Sequence, residues 1–148
     1  MTFPLHVLIR YELEKALFDG DLKCADLPGA WAEMYRKYLG VAPSCDREGV
    51  LQDSHWSGGM LGYFPSYALG SSYAAQMYET MKKAVDVEGA ISAGDISPVT
   101  SWLRERIHRH GRMLDPKDLL FNAFDGAPFD PEYYVRYLTD KYTALYGL

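Results

Sequence analysis

The chain has 148 residues, 48% hydrophobic and 24% charged, with a net charge of −5: enough to bury a core, and the wrong sign for a nucleic-acid partner. No apolar run approaches the ~20 residues that a membrane span needs, so no membrane partner is expected. The apolar start, Met1 to Ile9, runs straight into Arg10, Glu12, Glu14 and Lys15 without a small-residue cleavage site, which argues against a secretory leader and for the cytoplasm.

Helix signals dominate in chain order. Leu5, Leu8, Ile9, Leu13 and Leu17 recur at helical spacing over Leu5 to Phe18, and Gly20 ends the run. This helix has no polar lead-in beyond Met1-Thr2-Phe3, with Pro4 as a first-turn residue, so the sequence reads as though it begins inside a larger structure. Cys24 and Cys45 form no C-x-x-C and no metal-like pair, and are expected as free thiols. Asp26 then precedes Leu27 and Pro28, and a second helix carries Trp31, Met34, Tyr35 and Tyr38 on one stripe to its stop at Gly40.

The segment from Gly49 to Tyr67 breaks the pattern. It gathers Gln52, Asp53, His55, Trp56, Tyr63 and Tyr67 around Gly58, Gly59 and Gly62, which is a poor recipe for regular structure and a good one for a polar cleft. His55 can serve as hydrogen-bond donor, base or ligand near neutral pH. Asp53 can fix its tautomer if the backbone folds back, and Tyr63 and Tyr67 each offer a hydroxyl to a developing oxyanion. The competing reading is a glycine-rich turn whose rings cover a core, and spacing alone leaves the two even.

A longer helix is expected over Ser66 to Val85, with Tyr73, Met77 and Met81 at steps of four. Ser97-Pro98, Asp115-Pro116 and Asp130-Pro131 then each place a capping side chain before a first-turn proline, with stops near Gly111, Gly126 and Gly147. No alternating strand pattern occurs. The expectation is an all-α fold of about seven short helices in a single domain, residues 1–148.

Other clusters carry less chemistry. The basic run Arg104, Arg106, His108, Arg109, His110 and Arg112 is interrupted by Glu105 and fits the cationic last turns of a helix better than a phosphate-binding patch. One arginine of the run, facing a cleft, can grip a carboxylate with its forked donors. His6, His55, His108 and His110 include no H-E-x-x-H, and no G-x-S-x-G is present. A self-contained metal site is therefore not expected.

Gly49-x-x-Gln52-Asp53-x-His55-Trp56, read with its flanks, resembles the carboxypeptidase Taq family of zinc metallocarboxypeptidases. The likeness extends to Leu5-His6-Val7-Leu8-Ile9-Arg10-Tyr11-Glu12-Leu13-Glu14-Lys15, to Leu27-Pro28-Gly29-Ala30-Trp31 with Tyr38-Leu39-Gly40-Val41, to Trp102-Leu103-Arg104 through Ile107–Arg112, and to the ending Tyr142–Leu148. It is colinear over nearly the whole chain. The resemblance implies a longer helical enzyme, usually homodimeric, that removes single residues from peptide C-termini. In that family two histidines of H-E-x-x-H and a downstream glutamate hold zinc, and the motif's own glutamate activates water. This chain lacks that motif, so it is expected to be the C-terminal, substrate-cleft part, to bind no zinc by itself, and to be inactive without its zinc-bearing N-terminal portion.

The resemblance further implies that His55 faces the zinc and binds substrate or supports the tetrahedral intermediate, with Tyr63 or Tyr67 donating to the same oxyanion. Gln52 and Asp53 would orient these groups from behind, and Arg109 or Arg112 would meet a substrate carboxylate. Apolar faces that pack on the absent helices would favour self-association. The alternative function is a free-standing, non-catalytic helical module that binds peptides.

Overall fold

The computed structural model describes residues 2–148, and every regular element among them is helical. The chain divides into two compact units, Met1–Leu69 and Gly70–Leu148.

In the first unit, α1 (Phe3–Asp19) starts on Pro4 and closes where Gly20 enters the left-handed region at φ 83°, its N–H returning to the Ala16 carbonyl. Helix α2 (Leu27–Leu39) packs on α1, as the apolar stripes require. Ile9, Leu13, Trp31 and Val50 form the buried centre, with Met34, Tyr35, Tyr38 and Trp56 packed against it. The stripe of Trp31, Met34, Tyr35 and Tyr38 thus faces inward as its spacing predicts.

The connection after Gly40 is more ordered than its composition suggests. A 3-10 turn at Val50–Gln52 leads into the one-turn helix α3 (Ser54–Ser57), where the composition predicts irregular loop. Next comes α4 (Phe64–Lys82), starting two residues before and ending three before the expected Ser66 to Val85. Phe64 is buried and sets the earlier start, with Pro65 accepted in the first turn because its missing N–H has no partner there.

In the second unit, Met81, Val87 and Trp102 are buried together, with Met77, Tyr78, Val99 and Leu103 around them. Its helices are α5 (Val87–Ser92), α6 (Ser97–Arg106), α7 (Pro116–Ala123) and α8 (Glu132–Tyr146). Eight α-helices among the described residues meet the expectation of about seven; α3 and α5, both short and started by aspartate caps, are the two that no long apolar period marks. Asp95 rather than Ser97 accepts at the start of α6, from Ser97 N–H at 2.9 Å. Asp130 does act as expected, accepting from Glu132 N–H at 2.9 Å. Gln76, almost fully buried, tethers the segment before α8: its amide donates to the Pro128 carbonyl at 2.8 Å and accepts from Asp130 N–H at 2.9 Å. Among the described residues no helix is long and apolar enough to cross a membrane.

Candidate active-site cleft

Asp53 builds the site from its own backbone outward. In extended conformation at φ −74° and ψ 117°, it caps α3 by accepting from His55 N–H at 2.9 Å and Trp56 N–H at 3.4 Å through Oδ1. This fold-back brings His55 Nδ1 to 3.3 Å from the same oxygen. The alignment is too poor for a hydrogen bond, and Nδ1 is buried without a hydrogen-bond partner. The other carboxylate oxygen, Oδ2, accepts from Arg10 Nε at 2.6 Å. Burial pushes the Asp53 carboxyl up, but the Arg10 bond, the His55 backbone N–H and the neighbouring positive charges outweigh it and hold the group below the usual carboxylate range.

At the far side of the imidazole, Nε2 lies 2.9 Å from the Tyr67 hydroxyl. In a neutral ring one nitrogen donates and the other accepts. An anionic oxygen beside Nδ1 would repel a lone pair there, so the proton belongs on Nδ1 and Nε2 accepts from Tyr67. Tyr63 stacks on His55 with centroids 6.1 Å apart and planes 24° from parallel, and meets Tyr67 edge-on at 5.2 Å. Phe64 closes the floor at 5.0 Å from the imidazole. Both tyrosines are partly exposed, whereas Phe64 is not.

These groups open onto a cleft of about 380 Å³ bordered by Phe3, His6, Arg10, Gln52, His55 and Tyr67. Gln52, Asp53, His55 and Tyr67 are therefore brought together at this cleft, with Tyr63 against the His55 ring. Arg109 and Arg112 belong to the second unit. Arg109 pairs with Glu105 one turn earlier, and Arg112 is exposed in the turn after Gly111. The helix carrying the basic run stops at Arg106, short of the expected Gly111, and a 3-10 turn at His108–His110 follows. Arg106 itself is bound to Asp125 at 2.6 Å.

Larger grooves lie in the second unit, one of about 740 Å³, but the polar groups of that one already answer one another: Tyr78 donates to Glu88 at 2.6 Å and Lys141 to Tyr137 at 3.3 Å. No three His, Cys, Asp or Glu side chains converge as a metal site among the described residues. The donor set near His55 agrees, since one ring nitrogen is spoken for by Tyr67 and the other is enclosed beside Asp53.

Sequence reasoning missed Arg10, Glu14, His6 and Tyr35. Arg10 Nη1 donates to the His6 carbonyl at 3.1 Å and the Tyr35 hydroxyl at 3.2 Å, and its guanidinium lies 4.6 Å over the Trp31 ring. His6 Nδ1 is 3.1 Å from the same hydroxyl. Burial, then the Arg10 charge, hold the His6 imidazole below its ordinary value. Glu14, buried, accepts from Gly62 N–H at 2.7 Å. The signal was present: His6, Arg10 and Glu14 stand at steps of four, a polar line along a helix otherwise read for its apolar face.

Comparison with known proteins gives a consistent result. The family model described as carboxypeptidase Taq (M32) metallopeptidase matches residues 1–142. The chain is 44% identical over 149 aligned residues to carboxypeptidase 1 of Bacillus subtilis, covering 100% of this chain and 30% of that protein. It is 45% identical to thermostable carboxypeptidase 1 of Thermus thermophilus, covering 99% of this chain and 29% of that one. The crystal structure of the M32 carboxypeptidase from Deinococcus radiodurans superposes with a TM-score of 0.93 at 37% identity, over 100% of this chain and 30% of that one. The chain thus spans about 30% of the length of the curated relatives it matches.

Proposed function

The chain belongs to the carboxypeptidase Taq (M32) metallopeptidase family, and from that premise we propose that residues 49–67 form one wall of the substrate cleft of a zinc carboxypeptidase that releases single residues from peptide C-termini. The observation that carries this reading is the fixed His55: its ring is held between the Asp53 carboxylate and the Tyr67 hydroxyl while its edge borders an open cleft. A histidine that merely filled a core would have no reason to keep a tyrosine hydroxyl at the cleft mouth.

The family implies a metal in the whole enzyme. The described residues offer no set of ligands for it, so in the whole enzyme its holders would lie outside them. What this chain supplies is polarity aimed at developing charge. With the proton on Nδ1, His55 Nε2 orients the Tyr67 O–H. Protonation at Nε2 turns the ring into a donor, and Asp53 balances the imidazolium charge. His55, with Tyr67 or Tyr63, then donates to the carbonyl oxygen as it becomes an oxyanion, which is where fixed donors act on rate rather than on binding. Gln52 at the cleft edge suits a peptide amide. Arg109 or Arg112 remains the proposed partner of a terminal carboxylate. A cytoplasmic, homodimeric enzyme goes with the same reading.

Such donors do little without an activated water, so this chain by itself should not release amino acids from peptides. The test is His55→Ala in the complete enzyme that contains this segment, with release of the C-terminal residue of a blocked dipeptide as readout. Turnover should fall by ~10²–10³, the effect of one oxyanion donor, while the melting temperature moves little. Equal damage to folding and rate would refute the catalytic role, and hydrolysis by the 148-residue chain with added zinc would refute its dependence on the remainder.

A further inference from the structure

We propose that α1 sets the geometry of the cleft through two positioning residues, Arg10 acting on His55 and Glu14 acting on Tyr63. The proposal deepens the cleft reading above and rests on it for its functional meaning.

The loop cannot hold its own rings. Gly59 and Gly62 lie in the left-handed region, at φ 75° and 73°, and Gly58 breaks α3. Rigidity has to come from outside, and α1 presents two anchors one turn apart on the same face. Arg10 is itself held by three hydrogen bonds and by the face of Trp31, a residue only 1% exposed. Its Nε takes Oδ2 of Asp53. A carboxylate rotates broadly about its terminal bond, and this grip leaves Oδ1 no choice but to face α3. Oδ1 there caps the one-turn helix and stands beside His55 Nδ1, so the guanidinium decides which nitrogen of the ring is protonated and, through Nε2, where the Tyr67 hydroxyl points.

Glu14 does the corresponding task at the other end of the loop. Its side chain is buried at 5% exposure, and Oε1 accepts from the N–H of Gly62. Burying a carboxyl group is expensive, and an apolar residue would serve α1 and the core better. The bond pins the Leu61–Gly62 peptide, one residue before Tyr63, whose ring stacks on His55. The buried carboxyl is accounted for by placement of that ring.

The experiment is nitrogen-15 spectroscopy of the His55 ring in the intact 148-residue chain, with proton contacts between the His55 and Tyr63 rings recorded alongside. At a pH where the ring is neutral, the wild type should show a single tautomer with the proton on Nδ1. Arg10→Met should lose that single-tautomer pattern while the circular dichroism stays helical, and Arg10→Lys should restore part of it. Glu14→Leu should lose the Tyr63–His55 ring contacts and leave the tautomer alone, and Glu14→Gln, which keeps an acceptor oxygen, should recover them. A folded Arg10→Met with the wild-type tautomer overturns the role of Arg10. If Arg10→Met does not fold, a wild-type tautomer in Arg10→Lys with Asp53→Asn added overturns it. Unchanged ring contacts in Glu14→Leu overturn the role of Glu14. These readouts use no substrate, so they fail separately from the cleft reading, whose failure shows as unaltered turnover in His55→Ala.

Discussion

The coupling between Arg10 and Asp53 can be measured without reference to any reaction, by a double-mutant cycle on Arg10→Met and Asp53→Asn. The Asp53 side chain is 2% exposed and accepts from three donors, Arg10 Nε, His55 N–H and Trp56 N–H. An asparagine can keep its oxygen on the backbone donors only by turning an NH₂ group toward Arg10, and the reverse orientation strands the cap. Either way a charge-assisted bond becomes a clash of donors. Bonds to charged groups are worth roughly 1.5–3 kcal/mol, and stranding one member of a fully buried pair costs ~3–5 kcal/mol. The Arg10 side chain keeps 17% of its exposure, so water softens the loss. We expect Asp53→Asn to cost about 2–3 kcal/mol and the cycle to show a coupling of at least ~1 kcal/mol. Urea unfolding followed at the tryptophans reads this directly, since Trp31 lies under the guanidinium. Single losses that add to within ~0.5 kcal/mol would mean that the two side chains are neighbours without being partners. The pH dependence gives a second check. The folded value of Asp53 lies below its ordinary 3.8. Its contribution is therefore complete above that value and is lost as pH falls through the lower, folded one. The gap between wild type and Asp53→Asn should stay level above pH 3.8 and close below it; a gap that widens in acid would contradict the assignment.

Two further outcomes follow from the first unit. Trp31→Ala removes the largest fully buried side chain, along with its stack on Tyr35, and should lower stability by ~3–5 kcal/mol in the same urea assay. His6 is held below its ordinary 6.5 by burial and then by Arg10, so the unfolded chain takes up its proton first and stability declines as pH falls from 6.5 through the folded value. His6→Asn should flatten that part of the stability profile, and an unchanged slope would show that His6 is not the group responsible.

What could be read in advance follows from how far apart cause and effect lie along the chain. The helices were legible because their determinants are local: apolar period, first-turn prolines, and glycines at Gly20, Gly40 and Gly147 that close α1, α2 and α8 in the left-handed region. Helices α3 and α5 were not, since each is too short for a period and depends on one capping aspartate. The pairing of Asp53 with His55 was legible as a possibility because the two residues are close in sequence. Arg10 and Glu14 were not, because their partners stand 43 and 48 positions away: the polar line they form with His6 marks a face of the helix but not what that face meets. A polar residue on a helix face reads as solvent-exposed until the packing shows what covers it, and Glu14 is the clearest case.

The position of these missed residues bears on how the cleft works. The described hydrogen bonds that orient His55 come from residues between Arg10 and Tyr67, within the first unit's own framework. A glycine-rich loop left to itself would have to be ordered by each arriving ligand, and binding would lose the free energy of that ordering. Two anchors from a packed helix remove much of that cost in advance. On the proposed reading they also hold the ring edges at fixed spacing before any charge develops, which is the condition under which donors lower a barrier rather than simply follow the substrate. The carboxylate buried at Glu14 and the guanidinium laid across Trp31 are thus two parts of one arrangement. On the proposed reading, the cost of burying Glu14 is offset by a cleft that is already in shape when it is empty.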